Sequence, residues 1–230
     1  EASERLVDNR WVLELVKDDP YYVGLVGNID PYRDDFADHL AELSKDKRFV
    51  GIRLRVQGRT IDYADSKVRA NLRLLAKAGL AADILMNGKG IDTINDVSAL
   101  AAAIPDLRLV VDHVLGYNID GETPPAEWQA AVRKLAKNPN VHCKVSGLYQ
   151  RCVIQPAKKD ADHYRSLLDI LWKEFGPQRL IYGSNWPCTK KSGNYRSFVK
   201  LVNDYFSDKG RDACENYFWK NAVRVYGLEI

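Results

Sequence analysis

The chain contains 230 residues, with 34 Lys and Arg against 31 Asp and Glu, so its formal net charge is only +3. Hydrophobic residues make up 46% and charged residues 28%, proportions that are typical of a folded globular protein and exclude an intrinsically disordered one. The weak charge argues against binding to nucleic acid, and no run of roughly eighteen apolar residues predicts a membrane span.

The cysteines indicate a reducing environment. Cys143, Cys152, Cys188 and Cys214 have neither metal-clip spacing nor the density of a disulfide scaffold, so we expect reduced thiols and a cytoplasmic location. No signal-peptide pattern is visible, but Glu1 is not an initiator residue and the one methionine of the sequence is Met86. We therefore expect that the natural N-terminal part of the protein is missing from this sequence.

Short β-like runs alternate along the chain with segments of helical periodicity. Strands are predicted over Tyr22–Ile29, Phe49–Val56, Ala82–Asn87, Arg108–Val114, Val141–Gly147 and Arg179–Gly183, and two helical stretches, Tyr195–Phe206 and Arg211–Tyr226, follow the last of them. Strand–helix alternation with short connections predicts a parallel sheet with right-handed crossovers.

The composition of the strands favours a barrel over an open, doubly wound sheet. In Val141–Ser146, one face carries Val, Cys and Val, and the other carries His, Lys and Ser. A doubly wound sheet is covered by helices on both faces, so its strands read as continuous apolar runs. A polar inner face instead suits a (β/α)8 TIM-like barrel. We predict one barrel domain over residues 1–230 that contains about six of the eight units, with two units before Glu1.

Polar side chains gather where the predicted strands end, which is where parallel α/β barrels place their chemistry. They are Asn28, Asp30, Arg53, Arg55, Asn87, Asp112, His113, Lys144, Ser146, Ser184, Asn185 and Trp186. This density predicts a catalytic or binding site at that end of the barrel.

The individual residues leave alternatives open. His113 can act as a base or a ligand, or it can be a buried neutral histidine bonded to a carbonyl. Lys144 and Arg53 lie on polar strand faces and require partners; Asp83 is the nearest expected partner of Arg53. Each cation is either part of a structural ion pair with an acid across the barrel or part of a clamp for an anionic substrate or an oxyanion. Trp186 either stacks on a substrate or packs under the barrel mouth.

Four segments, in this order along the chain, resemble the amidohydrolase-2 family, most closely its L-fuconolactonase-like, sugar-lactonase branch. They are Phe49–Arg53, Leu109–His113, Asn140–Leu148 and Gly183–Pro187, and the end of the chain, Asn221–Leu228, is similar to the last helix of that family. The resemblance implies a distorted (β/α)8 barrel and attack of water on a lactone or a similar carbonyl.

The sequence departs from the family pattern at two points. The family begins with a His-x-His motif, which this sequence lacks, in agreement with missing N-terminal units. Many relatives carry an acidic general base at the position of Asn185, whose amide can orient water but cannot accept a proton at neutral pH. The family-type zinc site consists of the His-x-His, a histidine such as His113 and a carboxylate. The sequence therefore does not define a cofactor with certainty. We expect His113 to bind a metal such as zinc only if the His-x-His is present in the full-length protein.

The leading hypothesis is a hydrolase that opens a small sugar-derived lactone at the carboxyl ends of the strands. The expected catalytic residues are His113, Lys144 and Asn185, and the expected substrate-binding residues are Arg53, Trp186 and Ser146. One alternative is a non-catalytic barrel that binds a carbohydrate acid, because Asn185 replaces the acidic base. Another is a decarboxylase or hydratase on the same fold. The predicted partner is a small molecule, and an oligomer is compatible with the sequence.

Overall fold

A computed structural model describes residues 5–55, 60–86 and 90–230. Its strands form one curled, parallel sheet in the sequential order β1 to β6, which is the arrangement of part of a TIM-like barrel. The strands are β1 Leu25–Gly27, β2 Phe49–Leu54, β3 Ala81–Ile84, β4 Arg108–Val111, β5 Val141–Val145 and β6 Leu180–Tyr182.

The predicted positions of the six strands are confirmed, but the observed strands are shorter than the predicted runs. Each overlaps one of the predicted runs. The predicted end of β4 at Val114 is wrong, because the chain turns in the left-handed backbone region from His113 onward. The predicted ends of β2 at Val56 and of β3 at Asn87 lie outside the described residues.

Helices fill the connections and, except for α10, cover one side of the sheet. They are α1 Val7–Leu15, α2 Phe36–Leu43, α3 Ser66–Lys77, α4 Gly90–Ala103, α5 Ala126–Ala136, α6 Leu148–Arg151, α7 Asp162–Phe175, α8 Tyr195–Ser207, α9 Arg211–Glu215 and α10 Asn221–Tyr226. A π-helical turn at Asn216–Lys220 joins α9 to α10, which accounts for the single helical stretch predicted there. None of the helices within these described ranges is long and apolar enough to cross a bilayer.

Helix α3 illustrates why these segments are helical. The Asp65 carboxylate caps it by accepting a hydrogen bond from the Val68 N–H at 2.9 Å. Val68, Leu72 and Leu75 share one face and are fully buried against the sheet, as the periodicity predicts.

The two faces of the sheet differ, as the alternating strands predict. In β5, Val141, Cys143 and Val145 are buried in the main core beneath the helices. His142 and Lys144 point to the concave side, where they are half-buried. A register shift between β1 and β2 places a bulge at Val50, which turns that side chain to the concave side as well.

The concave side is built in two layers. The layer near the amino ends of the strands is apolar, and α10 covers it: it consists of Val50, Ala81, Val110 and Ile181, packed against Val225 and Tyr226. Two residues further along β3 and β4 come Asp83 and Asp112, both fully buried. Because side chains alternate with a period of two, each acid lies directly above the apolar layer.

Helix α3 offers a matched test of this core. Leu72→Ala should lower the free energy of unfolding by about 2–5 kcal/mol, because it removes a fully buried side chain. Leu74→Ala makes the same chemical change at a position that is 39% exposed and should cost less than about 1 kcal/mol. Urea unfolding measures both; equal losses would contradict the described packing of α3.

Candidate active site

Charged side chains from β2 to β5 form a buried network at the carboxyl ends of the strands. Lys144 Nζ lies 2.5 Å from Asp83 Oδ2 and 2.9 Å from Asp112 Oδ1. Arg53 Nη2 lies 3.0 Å from Asp112 Oδ2. The Tyr226 hydroxyl, from α10, donates to Asp83 Oδ1 at 2.7 Å. Two cations thus balance two fully buried carboxylates, and we call these four charged side chains the ionic network.

The network fixes the charge of Lys144. Burial alone would lower the pKa of Lys144, but the attraction of Asp83 and Asp112 outweighs it, so the pKa is raised well above its usual value. Burial raises the pKa of Asp83 despite the attraction of Lys144. Burial alone would also raise the pKa of Asp112, but the attraction of Lys144 and Arg53 outweighs burial, so this pKa is lowered. Lys144 is therefore a cation at neutral pH and can donate hydrogen bonds but cannot act as a base.

The expected pairing of Arg53 with Asp83 is wrong. The register does place Arg53 beside Asp83 on the neighbouring strand. The long guanidinium side chain reaches one strand further, to Asp112 directly after β4, and Lys144 and Tyr226 bind Asp83 instead. The network therefore spans four strands rather than forming a single pair.

A left-handed turn presents His113 to this end of the barrel. His113, Val114 and Leu115 have φ angles of 54°, 48° and 56°. Such angles are unfavourable for residues with a Cβ, most of all for a β-branched valine. The Gly116 N–H closes the turn by donating to the His113 carbonyl at 2.8 Å. Backbone strain of this kind concentrates at functional sites.

The turn brings the imidazole against β5. His113 Nδ1 lies 2.8 Å from the hydroxyl oxygen of Ser146, which is fully buried. Gly147 leaves room for the ring, since a Cβ there would lie 3.2 Å from His113 Nδ1. Burial lowers the pKa of His113 to about 4, against the attraction of Asp112. The imidazole is therefore neutral at pH 7.

Asn185 and Trp186 lie on the loop that follows β6. Asn185 is half-buried with a φ of 50°, and its carbonyl accepts a hydrogen bond from the Thr189 N–H at 3.0 Å. Trp186 is 52% exposed, and its ring meets Tyr195 of α8 edge-on, with centroids 6.1 Å apart. The indole therefore lies at the rim of this end, with half of its surface open to solvent.

Contacts thus join four of the six predicted site residues in two groups. The ionic network contains Arg53 and Lys144, and a hydrogen bond connects His113 with Ser146. Sequence reasoning missed Tyr226, which lies 143 residues from Asp83 in the sequence. No local pattern could have paired these two residues.

Two further residues that were predicted at strand ends, Asn28 and Asn87, are not found among these contacts. Asn28 is a structural residue, because its N–H donates to Asn9 Oδ1 at 2.9 Å and its carbonyl accepts from Asn9 Nδ2 at 2.6 Å, which ties α1 to β1. Asn87 lies outside the described residues.

A groove of about 610 Å³ lies at the opposite, amino end of the strands, where Arg108, His142, Arg179 and Arg224 line it. Burial lowers the pKa of His142 to about 4. Arg179 is bound to carbonyl oxygens near the ends of α5 and α7, including those of Ala136 at 2.8 Å and Phe175 at 3.1 Å. These contacts compensate the negative ends of two helices, which gives Arg179 a structural role.

The described donors do not fit a metal ion by themselves. Across residues 5–55, 60–86 and 90–230, no cluster of three or more His, Cys, Asp or Glu side chains has metal-binding geometry. Asp112 is held by two cations, and Nδ1 of His113 by Ser146. His113 as a metal ligand stays a prediction that depends on a His-x-His motif beyond this sequence.

Comparisons with known proteins agree with the geometry. The sequence profile of the family described as amidohydrolase matches residues 1–228. An L-fucono-1,5-lactonase of Burkholderia ambifaria is 29% identical over 229 residues, which cover 96% of this chain and 76% of that protein. A crystal structure of an amidohydrolase from Burkholderia multivorans with bound zinc has a TM-score of 0.87 at 26% identity, covering 99% of this chain and 81% of that one.

The lowered pKa of His113 predicts how stability depends on pH. The unfolded chain binds a proton at His113 near pH 6.5, whereas the folded protein resists it until about pH 4. The unfolded state therefore holds more protons between these values, and the free energy of unfolding falls as the pH falls. His113 accounts for about 2 kcal/mol of this loss at pH 5.

His113→Gln should remove that part of the decrease. Urea unfolding at pH 8 and pH 5 measures it, and the pH 8 values serve as the internal control for any loss of packing. A variant that loses as much stability as the wild type between the two pH values would contradict a neutral, buried His113.

Proposed function

The chain belongs to the amidohydrolase family, and from this premise we propose that it is a hydrolase that opens a small sugar-derived lactone by attack of water. The proposal rests on the ionic network and the neighbouring His113–Ser146 pair. Together they place fixed N–H donors and a neutral imidazole at the same end of the sheet. The identity to L-fucono-1,5-lactonases supports a sugar lactone as the substrate class.

Lys144 and Arg53 are the proposed oxyanion donors. Contacts with Asp83 and Asp112 occupy two of the three N–H groups of Lys144, so one remains for a lactone carbonyl. Because the carboxylates hold both cations in place, these donors need no rearrangement as negative charge develops on the carbonyl oxygen.

His113 is the proposed acceptor for the proton of the attacking water. When Nδ1 donates to the Ser146 hydroxyl, Nε2 carries the lone pair that a base needs. Its low pKa makes it a weak base. A lactone is an activated ester with a tethered leaving group, so it requires less base strength than an amide. Asn185 is proposed to orient the water, and Trp186 to line the rim.

No step of this mechanism is assigned to a metal, since the described donors do not fit one. The structure of the Burkholderia multivorans amidohydrolase holds zinc. Only if a His-x-His motif were present in the full-length protein would His113 be the ligand that this chain contributes, in place of its role as a base.

We also propose that residues 1–230 form a single domain and that this domain is part of an eight-unit barrel. The strands follow sequential order, and β1 and β6 each pair with a single described strand, so both edges of the sheet can accept another strand. A small-molecule substrate, oligomer formation and a cytoplasmic location stay predictions.

Lys144→Met tests the oxyanion role. Proton release from a panel of sugar lactones should fall by about 100-fold or more, because the variant loses a fixed donor. Lys137→Met, at the exposed end of α5, is the matched control and should keep the wild-type rate. Circular dichroism confirms that the variants are folded. Unchanged lactone hydrolysis in Lys144→Met would show that Lys144 has no catalytic role.

Asn185→Asp separates an enzyme from a binding protein. The wild type should hydrolyse lactones measurably, and the variant should be at least about tenfold faster, because a carboxylate adds a general base. Asn203→Asp, which makes the same change on the surface of α8, should have no effect. Activity that arises only in Asn185→Asp would favour the alternative in which the natural protein binds a carbohydrate acid without turning it over.

A further inference from the structure

The groove at the amino ends of the strands concentrates positive charge. None of its described lining residues is an acid, and the basic residues that line it are Arg108, His142, Arg179 and Arg224. In a (β/α)8 barrel this end usually serves the stability of the fold, whereas the chemistry lies at the opposite end. The proposed lactone site therefore does not account for these basic side chains.

The alternation of side chains along the strands brings them together. Val110 and Ile181 belong to the apolar layer on the concave side. Arg108 and Arg179 lie two residues before them and therefore face the same side, at the amino ends of β4 and β6. His142 is the register partner of Val110 on β5. Three neighbouring strands thus each contribute one basic residue to the groove.

Helix α10 supplies Arg224 and holds Arg108 in place. Arg108 Nη1 donates to the Arg224 carbonyl at 3.3 Å, and Arg108 Nη2 donates to the Gly79 carbonyl. Arg224 Nη2 donates to the side-chain oxygens of Asn216, at 3.2 Å, and Asn221. These partners fix both guanidinium groups, but every one of them is a neutral oxygen atom.

The groove therefore carries positive charge that the fold does not balance. The hydrogen bonds of Arg179 also go to carbonyl oxygens, and a helix end offsets only about half a charge. Glu174 provides one of these carbonyls, at 3.3 Å, but its carboxylate pairs with Arg133. Across the part of the chain that the structure describes, no carboxylate forms an ion pair with Arg108, Arg179 or Arg224. Since an arginine keeps its proton, a bound anion would compensate these charges.

His142 gives an independent indication of a ligand. Its Nδ1 atom is buried and has no hydrogen-bond partner among the described residues, although buried polar atoms almost always have one. Burial lowers the pKa of His142 to about 4, and the charges of the three arginines lower it further, against a contact with the backbone of Asn140. The imidazole is thus neutral at pH 7 and lies within the field of all three cations.

The charge and the size of the groove favour an organic phosphate. A phosphate monoester carries a charge of about −1.5 to −2 at neutral pH and three acceptor oxygens, whereas a carboxylate carries one charge and two oxygens. The groove volume of about 610 Å³ lies within the range of about 300–1,000 Å³ that is usual for small-molecule sites, so a phosphate ion alone would leave most of it empty. The exposed rim of Pro139, Pro177 and Gln178 offers apolar surface and an amide that can bind hydroxyl groups.

We propose that this groove is a second ligand site, which binds a sugar phosphate. The phosphate lies against Arg108 and Arg224, next to His142, and the sugar lies toward Gln178. Because both guanidinium groups are already held in place, binding costs little side-chain entropy. The site is separate from the candidate active site, and the argument for it does not depend on lactone hydrolysis.

Calorimetry of the full-length protein at constant ionic strength tests the site with four probes: glucose 6-phosphate, glucose, inorganic phosphate and citrate. Glucose 6-phosphate should bind at least about tenfold more tightly than each of the other three. A lack of binding of glucose 6-phosphate would overturn the proposal. Equally tight binding of inorganic phosphate or citrate would overturn the assignment to a sugar phosphate, because the sugar or the phosphate would then contribute nothing.

Arg224→Gln locates the ligand in the groove. It removes an exposed charge that is bound only to neutral oxygens, so the fold should be retained, and circular dichroism checks this. Binding of glucose 6-phosphate should weaken by about tenfold or more. Arg73→Gln, which removes an exposed arginine from α3, is the matched control and should bind like the wild type. Equal losses in both variants would overturn the site, since only the net charge of the protein would then matter.

His142→Phe tests the contribution of the unpartnered nitrogen. The variant should bind glucose 6-phosphate about 3 to 10-fold more weakly, because the ligand loses one hydrogen bond. Unchanged binding in a folded variant would overturn the role of His142.

Two variants separate this site from the proposed function. Arg224→Gln should hydrolyse lactones at the wild-type rate, and Lys144→Met should bind glucose 6-phosphate like the wild type. The opposite pattern, in which Lys144→Met abolishes binding and Arg224→Gln retains it, would place the sugar phosphate in the active site and overturn the proposal. If no lactone is hydrolysed but glucose 6-phosphate binding depends on Arg224, the proposed function fails and the second site stands.

Discussion

The charge balance of the ionic network is the constraint on which the rest of the site depends. Asp83 and Asp112 are fully buried, and a buried carboxylate without a partner costs several kcal/mol. Lys144 must therefore remain charged between them, and Arg53 must reach past its nearest neighbour to complete the balance. The same requirement explains why α10 closes the concave side with a tyrosine whose hydroxyl binds Asp83. Cations held in this way are preorganised donors, which is what an oxyanion needs.

Much of the fold could be predicted because the strands alternate. The pattern of β5 indicates which side chains face the helices and which face the concave side, and the structure agrees. The apolar face of helix α4 was not specified in advance, because Thr93 and Ser98 are buried among its apolar residues and blur its periodicity. The left-handed turn that begins at His113 was also missed, since its residues, two of them apolar, read as the continuation of a strand.

The identities of the site residues could be predicted better than their contacts. Position on a polar strand face is a local property, so Arg53 and Lys144 were recognisable from the sequence. Contacts between residues on different strands are not visible in a local pattern. For this reason the predicted partner of Arg53 was wrong, and the contact of Tyr226 with Asp83 was missed.

The electrostatics of His113 determine its strength as the proposed base. Burial has the largest effect on its pKa, and the charges of Arg53, Lys144 and Arg151 lower it further. Of these three cations, Arg53 and Lys144 are already paired with carboxylates inside the protein. These fixed cations help to keep the imidazole neutral at pH 7, so in the proposed function His113 is a weak base, which suffices only for an activated ester such as a lactone.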